Sequence, residues 1–293
     1  MTTTHDIRTA DRRRPSLWAS MNWTARVSLT VLLIICLASL FGRWIVPHDP
    51  AAIDPTVSLL PPLTTDPGFY LLGTDNLGRD IFSRLIIGAR ISILVGLLGV
   101  VVAGAIGVTA GILAGYFGGW VDAVLMRIVD AFLSIPSIVL ILALLAILDP
   151  GVTTLIIVLG LTTWVIYARQ VRNQVLEIRE RLFVKAARTF GSGHLFIMIR
   201  HVLVNVIPTF VVLSTLSVAT LIVTESSMSF LGLGIQPPDI SWGLMLTGGR
   251  DYIATAWWVS TFPGLCITTT VLCILFVGDW LRERLDPRLK PAT

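Results

Sequence analysis

The chain has 293 residues, 54% of them hydrophobic and 14% charged, with a formal net charge of +4. A soluble domain carries about 25% charged residues, so a water-soluble globular body is excluded. The basic residues gather at the ends of apolar runs, which is the pattern of membrane anchoring and excludes a nucleic-acid-binding face.

Apolar runs of about 18 residues or more mark spanning helices. They predict an all-α membrane protein with six transmembrane helices, near 27–46, 91–115, 131–148, 152–168, 202–224 and 256–278. The domain reading is a tail at 1–26, the first span, an outer segment at 47–90, a core at 91–282 with a polar loop at about 178–204, and a tail at 283–293. The first run has a basic flank (Arg12, Arg13, Arg14, Arg26), but it is too long for a signal peptide and lacks a small-x-small cleavage site. It reads as an uncleaved helix. Pro136, Pro208 and Pro263 fall inside predicted spans, where proline is tolerated, and predict kinks.

Lys and Arg placement sets the expected orientation. Arg8, Arg12, Arg13, Arg14 and Arg26 precede the first span. Arg169, Arg172, Arg179, Arg181, Lys185, Arg188 and Arg200 follow the fourth, and Arg282, Arg284, Arg288 and Lys290 follow the sixth. The segment after the first span instead carries Asp49, Asp54, Asp66, Asp75 and Asp80 against Arg79, Arg84 and Arg90. Both termini and the polar loop are therefore expected in the cytoplasm.

In the outer segment, Leu77, Ile81 and Leu85 recur every fourth residue, and Asp80 and Arg84 form an i,i+4 pair. This predicts an amphipathic helix lying on the surface before the second span. In that span Gly99, Ala103, Gly107, Gly111 and Gly115 share one face. Such a ridge either lines a path or lets another helix approach closely, and the second use is the commoner. The loop at 225–246 is too apolar to stand free in water and is expected to fold back into the membrane face or to cap a cavity. Glu225 there reads as an interfacial residue, although an acid near a membrane helix is a functional candidate.

The polar loop continues the fourth helix, with Glu177 and Arg181 as an i,i+4 pair. Gly191-Ser192-Gly193 supplies a break between two short helices, and Ala186-Ala187 makes a small face against which another protein can pack. On charge alone, the loop reads as a solvated topogenic segment.

Its spacing resembles the cytoplasmic docking loop of ABC-importer permeases. The family pattern is Glu-Ala-Ala, three residues, Gly, nine residues, an apolar position, one residue and Leu-Pro. Ala186, Ala187, Gly191 and Leu203 match it, with His194 in the same segment. Lys185 stands where Glu is usual and Val204 where Pro is usual. His201 and Asn205 are similar to the peptide-importer ending His-x-Leu-Pro-Asn. Residues 72–92 and 229–243, with Arg127, Asp130 and Pro136, resemble further signatures of the C-type permease of dipeptide, oligopeptide and nickel importers.

The resemblance implies a type I importer fold and a permease subunit in the bacterial cytoplasmic membrane. It implies a second permease, two ATPase subunits carrying ATP and Mg, and an extracytoplasmic binding protein as partners. Lys185, Ala186, Ala187, Gly191, His194 and Leu203 would form the ATPase-docking loop. Peptides are the expected cargo, with nickel or glutathione-like compounds as the alternative.

Chemistry-bearing motifs are missing. Lysine occurs only at Lys185 and Lys290, so no G-x-x-x-x-G-K-[ST] phosphate loop can be drawn. The four histidines have no ligand spacing, and Cys36, Cys266 and Cys273 read as small buried hydrophobes. No cofactor or metal is expected on this chain. A membrane-embedded enzyme would need paired intramembrane acids, to which Asp122 and Asp130 come nearest. A proton-coupled carrier would need mid-membrane ionisable groups, which the spans largely lack.

Overall fold

The computed structural model describes residues 21–66 and 68–285. Residues 1–20 and 286–293 of the predicted tails (1–26 and 283–293), with Arg8, Arg12, Arg13, Arg14, Arg288 and Lys290, lie outside the described residues. The described residues are mainly helical, with turns and two isolated bridges between 46 and 80 and no named strand. Five helices are long and apolar enough to cross a membrane, or six if one bent pair counts as a span.

α1 (Trp23–Leu40) is followed by a short α2 (Gly42–Ile45). The first helix thus begins and ends earlier than the predicted 27–46. Its Leu33, Ile34 and Leu37 are exposed on the isolated chain, as a helix in contact with lipid requires. At Gly42 the backbone lies so close to Ile86 and Ile87 of the next long helix, α3 (Ile81–Phe117), that a Cβ would sit 2.9 Å from the Ile87 side chain.

α3 (Ile81–Phe117) is a single helix of 37 residues. Asp80 caps its first turn by accepting a hydrogen bond from the Ser83 N–H, 2.9 Å. The predicted surface helix before the second span is therefore corrected. Leu77 lies in the turn before the cap, and residues from Ile81 onward run without a break into the span. Helix formers such as Ile, Leu and Arg continue across the change from polar to apolar sequence, and nothing there stops the ladder. The Asp80–Arg84 pair is corrected too. Arg84 Nε lies 3.7 Å from Asp75 and its Nη1 donates to the Pro50 carbonyl, 3.0 Å, while the Asp80 carboxylate is taken up by the cap.

The glycine ridge of α3 packs against α6 (Val152–Arg179). A Cβ at Gly111 would stand 2.7 Å from the Ala168 carbonyl oxygen, and one at Gly115 2.8 Å from that of Arg172. Real side chains do not tolerate such distances, so close packing accounts for Gly107, Gly111 and Gly115. With little hydrophobic drive between helices in lipid, this contact is what holds the pair.

Between them lie α4 (Gly119–Leu133) and α5 (Ser137–Ile147), bent by 85° at the break. The predicted single helix at 131–148 is corrected. Pro136 N-caps α5, having no N–H to continue α4 and biasing Ile135 away from helical backbone. After α6 come α7 (Leu182–Thr189), α8 (His194–Ile197), a π-helix at Met198–Leu203, α9 (Val204–Phe230), α10 (Trp242–Gly249) and α11 (Trp258–Leu285). The π turn ends at Leu203, just before Pro208. An i→i−5 segment there shifts the ladder near the residue that lacks an N–H.

Two apolar cores result. The larger joins α3, α5, α6, α9, α10 and α11 around Leu155, Leu159, Tyr167 and Ile222. The smaller collects Ile112, Tyr116, Val171, Val175, Ile178, Val184, Ile197, Val202 and Val206. α3 and α6 contribute to both.

Candidate docking segment and the buried acid at the opposite end

Arg179 ends α6 and donates to the Gly115 carbonyl, 2.9 Å, satisfying a free acceptor of the last turn of α3. With the helix finished, Arg181 lies outside the register in which it could meet Glu177. Lys185 instead reaches Glu180, 3.0 Å, and that contact holds the Glu180 carboxyl below the usual carboxylate range. Asp122 and Asp130 are also paired with α6: Arg172 Nε and Nη2 donate to the Asp122 carboxylate, and Arg169 to Asp130, 2.5 Å. The two acids are thus ion-pair partners, each on its own arginine.

α7 turns Val184 inward, fully buried, and leaves Lys185 and Ala186 exposed. Ala187 and Leu203 are half-buried and pack on the edge of the smaller core. The helix closes in a defined way. Gly191 N–H donates to the Arg188 carbonyl and Ser192 N–H to that of Ala187, both 3.0 Å, with Gly191 at φ +79°. This is the double hydrogen-bonded C-terminal turn that favours glycine. A Cβ at Gly191 would meet no neighbour within 4 Å, so the requirement there is conformational. His194 opens α8, and its Nδ1 lies 3.0 Å from the Tyr116 hydroxyl.

Two short helices do lie on either side of the break, and Ala186, Ala187, Gly191 and His194 belong to that one element. Around it stand large apolar side chains that this chain leaves uncovered. Leu182 is 85% and Phe190 87% exposed, and Leu195, Phe196 and Ile199 are also exposed. Asn205 donates to the His201 carbonyl, 2.6 Å, and its own carbonyl accepts from Gln174 of α6, 3.0 Å. It fastens the π turn to the membrane body.

The other end of the bundle holds the feature that sequence reading misjudged. Glu225 on α9 has 0% exposure; it is no interfacial residue. Its Oε1 accepts from Ser229, 2.8 Å, and Ser241, 2.9 Å, while Ser226 and Ser92 lie 3.3 and 3.4 Å from Oε2. Ser241 also caps α10 by accepting from the Leu244 N–H, and Ser92 accepts from the Trp242 N–H, 3.2 Å. Trp242 Nε1 donates to the Leu85 carbonyl, 2.9 Å. The segment from 231 to 249 is thus folded back onto α3, as its apolarity required. Ser229 stands at i,i+4 from Glu225 and was visible in sequence; Ser92 and Ser241 are too distant along the chain.

Among the described residues no group of three or more His, Cys, Asp or Glu side chains is arranged to hold a metal. Cys273 is buried, Cys266 half-buried and Cys36 exposed, so only one of the three matches the expectation of full burial.

Comparison with known proteins agrees with this architecture. Residues 107–291 match the family described as binding-protein-dependent transport system inner membrane component, and residues 20–62 match the N-terminal TM domain of oligopeptide transport permease C. The chain belongs to this family of multi-pass membrane permeases of ABC importers. Similar proteins include the di/tripeptide transport system permease protein DppC of Pseudomonas aeruginosa, 41% identical over 94% of this chain and 92% of that one. The probable D,D-dipeptide transport system permease protein DdpC of Escherichia coli is 39% identical, over 89% and 86%. The nickel transport system permease protein NikC of Escherichia coli is 38% identical, over 94% and 98%. Among solved structures, the inward-facing MetNI methionine ABC transporter shares the fold, with a TM-score of 0.57 and 20% identity over 69% of this chain and 96% of that one.

Proposed function

We propose that this chain is one of two different permease subunits of an ATP-driven importer for short peptides, in the bacterial inner membrane, with the docking segment and both termini in the cytoplasm. The observation that carries this reading is the α7–α8 element with its uncovered Leu182, Phe190 and Leu195, on a chain related throughout its length to peptide permeases. A membrane protein has no use for such an exposed apolar element in water unless another protein covers it.

Two ATPase subunits are the proposed partners there, and they carry ATP and Mg. Lys185, Ala186, Ala187, Gly191, His194 and Leu203 form or shape the contact. A second, related permease completes the path, and an extracytoplasmic binding protein delivers the cargo. Cargo passes by alternating access: closure of the ATPase pair pulls on the docking segments, and the permease pair exchanges inward for outward opening. Each partner shifts that balance only by binding one state more tightly.

The test is co-purification of the ATPase with permease variants, together with uptake. Ala187→Trp is expected to abolish both while leaving the amount of permease in the membrane near wild type. Full association and full uptake in that variant would overturn the docking assignment. A nickel reading has support from the 38% identical NikC, and uptake of labelled dialanine against nickel in a strain lacking this gene separates the two.

A further inference from the structure

We propose that Tyr116 is a positioning residue that transmits movement of the docking segment to α3, and so couples partner ATP hydrolysis to opening of the path. This rests on the permease reading above. Tyr116 lies in the last turn of α3 and is only 4% exposed. Its hydroxyl lies 3.0 Å from His194 Nδ1, a hydrogen bond in which the tautomer decides the donor. The Arg188 guanidinium carbon lies 4.6 Å from the centre of the Tyr116 ring. Arg188 belongs to α7 and His194 opens α8. One side chain of α3 is thus gripped from both sides of the Gly191 turn.

That grip differs in kind from the surrounding contacts. Val184, Ile197 and Val202 meet Ile112 and Val175 through apolar surface, which is non-directional and lets elements slide. A hydrogen bond and a cation placed over a ring fix distance and angle. Whatever moves α7 relative to α8 must therefore move or release Tyr116. α3 is continuous for 37 residues, about 55 Å at 1.5 Å per residue. The same rod carries Ser92, which joins Glu225 and the folded-back 231–249 segment at the opposite end. Displacement at Tyr116 thus reaches a network that holds the far side of the bundle closed on itself. Phenylalanine would fill the same space and keep the cation–ring contact, so the hydroxyl isolates the directional part.

The experiment uses the complete complex of both permeases, the ATPases and the binding protein in proteoliposomes. It reads dialanine or nickel transported per ATP hydrolysed, normalised to the ATPase bound. Tyr116→Phe is expected to lower that ratio about fivefold, the scale of one modest hydrogen bond, with permease amount and ATPase association near wild type. His194→Ala should lower it by the same factor, the double variant no further, and His194→Gln should restore most of it by keeping an amide within reach of the hydroxyl. A wild-type ratio in Tyr116→Phe overturns the assignment. So do losses that multiply in the double variant, because the two residues would then act separately. A wild-type complex that transports neither probe overturns the permease reading as well, and is told apart because the failure does not depend on Tyr116.

Discussion

Near one end of α3, Ser92 joins Glu225, Ser229 and Ser241, each with 0% exposure, in a network that also takes in Ser226. At the other end, Tyr116 meets an element whose Leu182 and Phe190 are 85% and 87% exposed. The first region is finished within the chain: its hydroxyls and its acid find partners on α3, α9 and α10. The second is half a core. Val184 and Ile197 are sealed, and the outer apolar side chains are left for something else. On the docking role proposed above, the difference separates residues that hold this subunit together from residues that serve an assembly. Substitutions in the first region should act on stability and those in the second on association.

The largest effect is expected at the acid. Glu225→Ala leaves Ser229 and Ser241 without an acceptor inside the bundle, at a cost of about 3 kcal/mol. The folded fraction surviving a heating series in detergent should drop sharply; unchanged heat resistance would mean that the network is dispensable. Next comes the helix pair beneath it. Gly111→Val forces a side chain against the Ala168 carbonyl and Val171 and should cost about 2 kcal/mol, read in the same series. Gly191→Val should cost only about 1 kcal/mol, for a Cβ at positive φ, because space around it is open. Its signature is loss of ATPase co-purification at near-normal membrane amount. If its membrane amount falls as far as that of Glu225→Ala, the division between the two regions breaks down.

The smallest effect belongs to Lys185→Glu, which restores the residue usual in the docking pattern. It replaces an exposed ion pair with Glu180 by two like charges, and exposed pairs contribute little. Association and uptake should stay near wild type. Because the Glu180 carboxyl is held low by Lys185, its small contribution is present above the unfolded-state pKa and is lost as pH falls through the folded one. That acid dependence should weaken in Lys185→Glu, with only the Arg179 contact at 3.4 Å left to favour the charged form, measured by heat resistance across the acid range.

These contrasts were unequally legible in the amino-acid order. Spans follow from hydropathy because lipid demands unbroken apolar runs, and the Gly191 break follows from local backbone chemistry. Helix limits do not: hydropathy changes at the lipid boundary, but α3 begins at Ile81 and crosses it unchanged. Local pairing rules assigned Arg84 to Asp80, whereas a residue outside the helix, Asp75, took it. Glu225 read as interfacial because two of its partners lie 133 and 16 residues away, and burial by distant chain segments leaves no periodic trace. Tyr116 was passed over for the same reason, its hydroxyl partner being 78 residues on.

The turn at Gly191 carries a kinetic consequence. Its two closing hydrogen bonds are donated by the Gly191 and Ser192 N–H groups to the carbonyls of Arg188 and Ala187, a few residues upstream in the same stretch of chain. The element's turn is closed by its own backbone, so a subunit docking as proposed above would meet a preformed knuckle instead of a loop it must fold. Ordering costs that flexible segments impose on association are largely absent. Assembly should proceed at a rate set by encounter and orientation, and dissociation should leave the knuckle ready for the next encounter.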